Sequence, residues 1–289
     1  MPHDFAKISV TAKLAAYMRQ FSDIPYAADI ADLTRARATF DQLLRDHTLS
    51  PDDLTWYAPI FEARHKSIGA MIARTRAGQV LELAAGLSPR GLQITADPRY
   101  YYVETDLDDI LAEKRLLLSA IQRRHRLQPR NNHRLAAANA IDPAQLLAAA
   151  KNFKSSQRLL ITHEGLLQYL SSSETEQVTH NIHHLLGKFG GAWITPDFSL
   201  KSDSDNASDA QKLFRRIIAE ATDRTLYNNA FDSIEHLREY FRGLGFQVEV
   251  FNQLYLAPDL ASPARLHLAP EVLDHLRPKL RLWMLTRLP

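Results

Sequence analysis

Val80-Leu81-Glu82-Leu83-Ala84-Ala85-Gly86-Leu87-Ser88-Pro89-Arg90-Gly91 carries an apolar strand straight into a turn of small residues. A short apolar run that stops at a glycine reads as a buried strand. The small residues after it let a ligand lie against bare backbone. In open α/β sheets ligands sit beyond the carboxyl ends of the strands, and this turn is such an end. A dinucleotide turn would read G-x-G-x-x-G; here Ala84 stands where the first glycine would be, and Ser88-Pro89 follows. No G-K-[ST] triplet occurs, so a nucleoside triphosphate loop is excluded. Glu82, two positions before the small cluster, suits a ligand with a positive centre. Val103-Glu104-Thr105-Asp106 closes the next apolar run, and Asp106 lies 20 residues after Gly86. At that distance a carboxylate accepts both hydroxyls of a ribose. That spacing serves nicotinamide and methionine-derived cofactors alike, so it supports an adenosyl ligand, and S-adenosylmethionine is one that also carries a positive centre.

Further runs repeat the pattern of that first strand. Apolar or β-branched stretches at 79–85, 100–103, 134–138, 158–162 and 192–195 alternate with helical periodicity at 108–123, 143–152 and 174–186. Strand alternating with helix is the signature of a parallel sheet covered on both faces. Ser173 with Glu176 three residues on reads as the capping box of the third helix. Helical stretches at 209–222 and 233–244 precede Gly245, and residues 246–251 and 280–288 then alternate as two late strands without a helical crossover. An antiparallel pair at one sheet edge is expected. Five parallel strands plus such a terminal hairpin make the mostly parallel, seven-stranded, Rossmann-like α/β sheet of class I methyltransferases. Ahead of it, residues 1–75 read as helical, with apolar spacing at 10–19 and 27–44 and a helix start at Ser50-Pro51. The expected organisation is an N-terminal helical cap over 1–75 and a sheet domain over 76–289, one compact unit.

Composition sets the outer bounds. Of 289 residues, 45% are hydrophobic and 24% charged, enough apolar sequence to bury a core. Lysine plus arginine exceeds aspartate plus glutamate by only 35 to 33, so no global field toward nucleic acid is implied. The chain has no cysteine, which excludes disulfides, thiolate metal sites and cysteine nucleophiles together. It has no stretch of 18 apolar residues, and its first residues lack the apolar segment of a signal peptide, so a cytoplasmic enzyme without a membrane partner is the expectation.

Four blocks, Leu83–Arg90, Tyr102-Val103-Glu104-Thr105-Asp106-Leu107, Lys114-Arg115 and His163-Glu164-Gly165-Leu166-Leu167-Gln168-Tyr169-Leu170, together resemble the leucine carboxyl methyltransferase family. That family includes protein phosphatase carboxyl methyltransferases and bacterial polyketide O-methyltransferases. The Glu-Gly-Leu-Leu-x-Tyr-Leu segment is the most specific part, and the resemblance runs from about Ser9 to Leu170. It implies S-adenosylmethionine as cofactor and assigns roles by position. Arg64 resembles the arginine that pairs with the methionine carboxylate, Gly86 the turn glycine, and Asp106 the ribose-binding aspartate. Asn139-Ala140 stands where the family has Asp-Leu near the adenine. Glu164 resembles the acid close to the cofactor amino group. Two positions depart from the family: Ala84 adds a methyl group to the turn, and Asn139 loses a charge while keeping an acceptor.

Methyl transfer from a sulfonium is an in-line displacement that needs orientation and exclusion of water. A carboxylate acceptor is ionised at neutral pH and needs no base; a hydroxyl acceptor needs one. His163, at a strand end beside Glu164, is the candidate base, with packing against the neighbouring strand as the alternative. The segment from Ser9 to Tyr26 resembles the family's helical cap. In it, Arg19 suits an acceptor carboxylate, and Tyr17, Tyr26 and Tyr169 are candidates for shaping the acceptor pocket. His180, His183 and His184 share a helix face but lack acids at metal-ligand spacing, so no metal is expected. The basic run Gln122-Arg123-Arg124-His125-Arg126 lacks the aromatics that stack bases, so it reads as a solvated helix end. The sequence thus points to an O-methyltransferase acting on a carboxylate or hydroxyl of a small molecule. A non-catalytic binding protein on the same scaffold and an NAD-dependent dehydrogenase are the alternatives.

Overall fold

A computed structural model describes residues 9–45, 50, 52–205, 209–222 and 230–289. Among the described residues seven strands form one sheet: β1 (Gln79–Leu83), β2 (Tyr101–Asp106), β3 (His133–Ala137), β4 (Leu159–His163), β5 (Gly191–Thr195), β6 (Phe246–Asn252) and β7 (Arg281–Arg287). Their spatial order is β3-β2-β1-β4-β5-β7-β6. The first five are parallel, and β7 runs antiparallel to both β5 and β6. The mostly parallel sheet with an antiparallel end is therefore the Rossmann-like arrangement of class I methyltransferases. The last pair is not a tight hairpin, however. β7 inserts between β5 and β6, and the connection from β6 to β7 holds three short helices.

The helices are α1 (Ser9–Arg19), α2 (Ala27–Leu33), α3 (Ala36–Leu44), α4 (Ala58–Thr75), α5 (Arg90–Ile94), α6 (Asp108–Arg124), α7 (Pro143–Ala149), α8 (Ser172–Phe189), α9 (Lys201–Asp205), α10 (Asp209–Thr222), α11 (Ile234–Gly243), α12 (Gln253–Leu256), α13 (Ser262–Arg265) and α14 (Pro270–Leu276). The single helix expected over 27–44 is broken because Arg35 takes a left-handed φ of 50° between α2 and α3. The capping box of α8 is two residues earlier than expected. Ser171 Oγ accepts from the Glu174 N–H at 3.3 Å, and Glu174 Oε2 accepts from the Ser171 N–H at 2.8 Å. At Ser50 the chain enters a 3-10 turn, Asp52–Tyr57, rather than an α-helix; Pro51, expected at its first position, lies outside the described residues.

Alternation along the strands divides the core. Leu81, Leu83, Val103, Leu159, Ile161, Trp193, Trp283 and Leu285 bury one sheet face against α7, α8 and α11. Val80, Tyr102, Leu160, Ile194 and Leu282 bury the other face against Ile68, Met71 and Ile72 of α4. α4 thus belongs to the sheet's covering layer, although it falls before residue 76. A third cluster joins α1 and α3 to α6 and α10, with Tyr17, Phe40 and Phe214 at its centre. Each fully buried Leu, Ile or Phe is worth roughly 1.5–3 kcal/mol relative to exposure, so this third cluster holds α1 against α3, α6 and α10, with Ala12 of α1 beside Gly86 after β1.

Candidate active site

The turn after β1 is tight. Ala84 and Gly86 both take left-handed φ, 47° and 50°. Glycine tolerates this and alanine pays for it, so Ala84 is a strained residue. The Gly86 N–H donates to Asp106 Oδ2 at 2.7 Å, and the Leu107 N–H donates to Asp106 Oδ1 at 2.8 Å. Two amides orient the carboxylate and leave further lone pairs on both oxygens for a ligand. Burial raises the Asp106 pKa; the two amides and the Lys114 charge oppose it only in part. Gly91 answers a different need. A Cβ there would overlap the carboxylate of Glu104, which is buried in contact with Lys114 and His133.

Beneath the turn lies a chain of alternating charges. Tyr102 Oη donates to Glu82 Oε2 at 2.8 Å, and Arg90 Nη1 donates to Glu82 Oε1 at 3.1 Å. Arg90 Nη2 donates to Glu164 Oε2 at 2.7 Å, and Arg19 Nη2 donates to Glu164 Oε1 at 2.8 Å. Tyr102, Glu82, Arg90 and Arg19 are buried, and the Glu164 side chain is nearly so. Burial pushes the Glu82 carboxyl up, with Arg90 opposing. At Glu164 the charges of Arg19, Arg90 and Arg64 overcome burial and hold its carboxyl below the usual range. The network ties helix α1 to the turn after β1 through one acid at the end of β4.

Above the turn is a cavity of about 780 Å³, within the roughly 300–1,000 Å³ typical of small-molecule sites. Ala84, Gly86, Asp106, Asn139, Ala140, Glu164 and Arg64 all line it, as do Arg19 and Tyr169. α1 forms its roof: the Ala12 Cβ lies 3.6 Å from where a Cβ on Gly86 would stand. Asn139 Oδ1 accepts from the Ile141 N–H at 3.2 Å. Tyr57, Ile60, Phe61, Phe198, Phe214, Ile218, Phe231, Phe241, Leu276 and Leu280 also line the cavity and make much of its wall apolar, with Asp203, Arg215, His236 and Lys279 among them.

Four expected site residues are not brought to the cavity. Glu82 is sealed beneath the turn by Arg90 and Tyr102. Tyr17 is buried among Phe21 and Phe40, its hydroxyl accepting from Arg37 at 3.0 Å. Tyr26 sits at the head of α2 with left-handed φ, packed edge-on against His125. His163 is fully buried. Trp193 Nε1, which can only donate, lies 3.0 Å from His163 Nε2. Nε2 is therefore the acceptor, and Nδ1–H donates to Asp197 Oδ2 at 2.8 Å. Both ring nitrogens are committed, so His163 has none left to act as a base. Of the histidines on α8, His180 pairs with Glu176, and His183 accepts from Arg287 and packs on Phe246.

Sequence reasoning missed Asp197, which lines the cavity, and Arg90, which holds two acids apart. Asp197 ends Thr195-Pro196-Asp197, an acid just past a strand end, and that was the available signal.

The model of the leucine carboxyl methyltransferase family matches residues 12–183, more than half of the chain, and the protein belongs to that family. It is an S-adenosylmethionine-dependent methyltransferase, and the cavity holds groups of the kind such a cofactor requires: the amide-oriented carboxylate of Asp106, the guanidinium of Arg64 and the small-residue turn at Ala84 and Gly86. The dehydrogenase alternative falls with this assignment. No curated protein matches the sequence significantly. Among solved structures, the fold is similar to a DUF574 family protein from Streptomyces avermitilis MA-4680, with 13% identity over 96% of this chain and 97% of that one at a TM-score of 0.58. It is also similar to a candidate O-methyltransferase from Nostoc punctiforme PCC 73102, with 15% identity over 96% and 72% of the two chains at 0.50. A bacterial methyltransferase domain, CtHen1-C, matches with 10% identity over 80% and 100% at 0.50. At these identities the structural likeness speaks for the fold alone. Among the described residues no helix is long and apolar enough to cross a membrane.

Proposed function

We propose that the protein transfers the methyl group of S-adenosylmethionine to a carboxylate oxygen of a small, largely apolar acid. The observation that carries this reading is the cavity itself. It is lined by the cofactor turn and Asp106 and by many aromatic and aliphatic side chains, with the guanidinium groups of Arg19 and Arg64 on its wall. In this reading Asp106 holds the ribose hydroxyls, Asn139 and Ala140 flank the adenine, and Arg64 binds the methionine carboxylate. Glu164 orders the amino end while keeping Arg19 in place. Arg19, whose Nη2 donates to Glu164, lines the same cavity and offers its positive charge to the acceptor carboxylate. Tyr169, buried at the cavity wall, shapes the acceptor side. A carboxylate needs no proton removed, which agrees with His163 being sealed. α1 excludes water, and orientation of the acceptor behind the methyl group supplies the rate.

A hydroxyl acceptor is the second reading, and one observation favours it. His236 lines the cavity with Nδ1 3.1 Å from Asp232 Oδ2, an exposed pair able to take a proton. Calorimetric titration with S-adenosylmethionine, S-adenosylhomocysteine and NADH tests the cofactor, followed by release of S-adenosylhomocysteine with matched aryl and alkyl acids and alcohols. Methyl esters formed from acids, with His236→Gln unimpaired, support the first reading. Ethers formed from alcohols and lost in His236→Gln replace it with the second. Cofactor binding without turnover on either set supports a non-catalytic protein.

A further inference from the structure

Part of the cavity wall is a short loop that leads from β4 into a 3-10 turn, Leu167–Tyr169. Gly165, with a left-handed φ of 78°, Leu166 and Leu167 follow Glu164 out of β4 and line the cavity. One side chain from another strand end holds them. Asp197 Oδ1 accepts from the Gly165 N–H at 2.8 Å; Asp197 Oδ2 accepts from the Leu166 N–H at 2.8 Å and the Leu167 N–H at 3.2 Å. His163 Nδ1–H adds a fourth donor at 2.8 Å, itself fixed by the Trp193 indole behind it. Only 4% of the Asp197 side chain is exposed. Burial alone would raise its pKa, but the His163 ring, the Arg64 charge and the Gly165 amide outweigh burial and hold it down to about 2.

We propose that Asp197 is the positioning residue of the cofactor site, with His163 as its fixed donor. Its carboxylate sets the backbone from Glu164 to Leu167 and so the place of the acid that α1 and the cofactor turn share. Four converging donors leave the carboxylate little capacity to serve as a base. The effect on the site runs through Glu164, whose two oxygens are taken by Arg19 and Arg90. A loop displaced by even 1 Å would shift both arginines. The proposal rests on the cavity being the cofactor site.

The test is calorimetric titration of the full chain with S-adenosylhomocysteine, alongside thermal melting. Asp197→Asn places an amide among N–H donors, and its dissociation constant rises about tenfold or more. His163→Leu removes the fourth donor and weakens binding in the same direction. His163→Asn, whose amide N–H takes the place of Nδ1–H, restores affinity to within about threefold of wild type. Val248→Ala, in the core away from the cavity, lowers the melting temperature without changing affinity. If Asp197→Asn fails to fold, the two His163 variants decide. The proposal is overturned if folded Asp197→Asn and His163→Leu lose melting temperature as Val248→Ala does yet bind like wild type. Wild-type protein that binds no S-adenosylhomocysteine would remove the cofactor site, and this role with it.

Discussion

The two ends of the sheet are built from different materials. Under the cofactor turn, β1, β2 and β4 bury Glu82, Arg90, Glu164, Glu104 and Lys114 in paired charges. Toward β5, β6 and β7 the corresponding volume is filled by rings: Trp193, Phe198, Phe231, Phe241, Phe246 and Trp283 meet edge-to-face or tilted, at centroid distances from 4.7 to 6.2 Å. Charge pairs are directional and tolerate little displacement once desolvated. Ring packing depends on volume and adapts to a substitution at modest cost. A fixed cofactor at one end and an acceptor that can vary at the other would use these two materials in this way.

The largest expected effect tests the charged end. Arg90→Leu strands two buried carboxylates and destabilises the fold by about 3–5 kcal/mol; Arg90→Leu combined with Glu82→Gln recovers part of that loss in urea unfolding. Equal losses in the single and double variants would show that the charges are not coupled. Asp106→Ala comes next. It weakens S-adenosylhomocysteine by about 2 kcal/mol, read by calorimetry. The pH response has a worked sign. The folded protein holds the Asp106 proton more tightly than the unfolded chain, so this group's contribution to stability falls as pH rises from 3.8 through its raised pKa. Cofactor affinity, which needs the ionised acid, rises over the same interval and stays flat in Asp106→Ala.

At the ring end, Phe241→Leu costs about 1 kcal/mol in thermal melting, the size of an aromatic pair beyond its area. It leaves cofactor affinity unchanged while altering which acceptors turn over. A change in cofactor affinity as large as that of Asp106→Ala would erase the distinction between the two ends. The smallest effect is a gain. Ala84→Gly relieves a left-handed alanine and raises stability by about 0.5–1 kcal/mol, with binding retained. A loss of stability would mean that the Ala84 methyl group packs usefully.

Legibility in the sequence follows the same division. The glycine turn, the acid 20 residues on and the Glu-Gly-Leu-Leu segment all sit in the charged end, where a role demands one residue type at one spacing. There nine of the thirteen expected site residues reach the cavity. The four that do not were each plausible by residue type and strand-end or helix position, and each was taken by a partner that folding brought to it. His163 is taken by Trp193 and Asp197, Glu82 by Arg90, Tyr17 by Arg37 and Tyr26 by His125. The apolar part of the cavity wall was not legible at all, since Phe214, Phe231 and Phe241 carry no spacing that separates a pocket wall from a core.

By itself, then, the sequence determined the alternation of strand and helix, the antiparallel end and the chemistry of the turn, because hydrophobic period and glycine placement are local physical constraints. Tertiary structure alone decided where β7 inserts, which of two adjacent strand-end residues, His163 or Glu164, faces the cavity, and that Asp197 reaches back to hold the loop that follows them. Those outcomes depend on which donors and acceptors meet across the sheet, and buried polar atoms take the partners that folding brings to them.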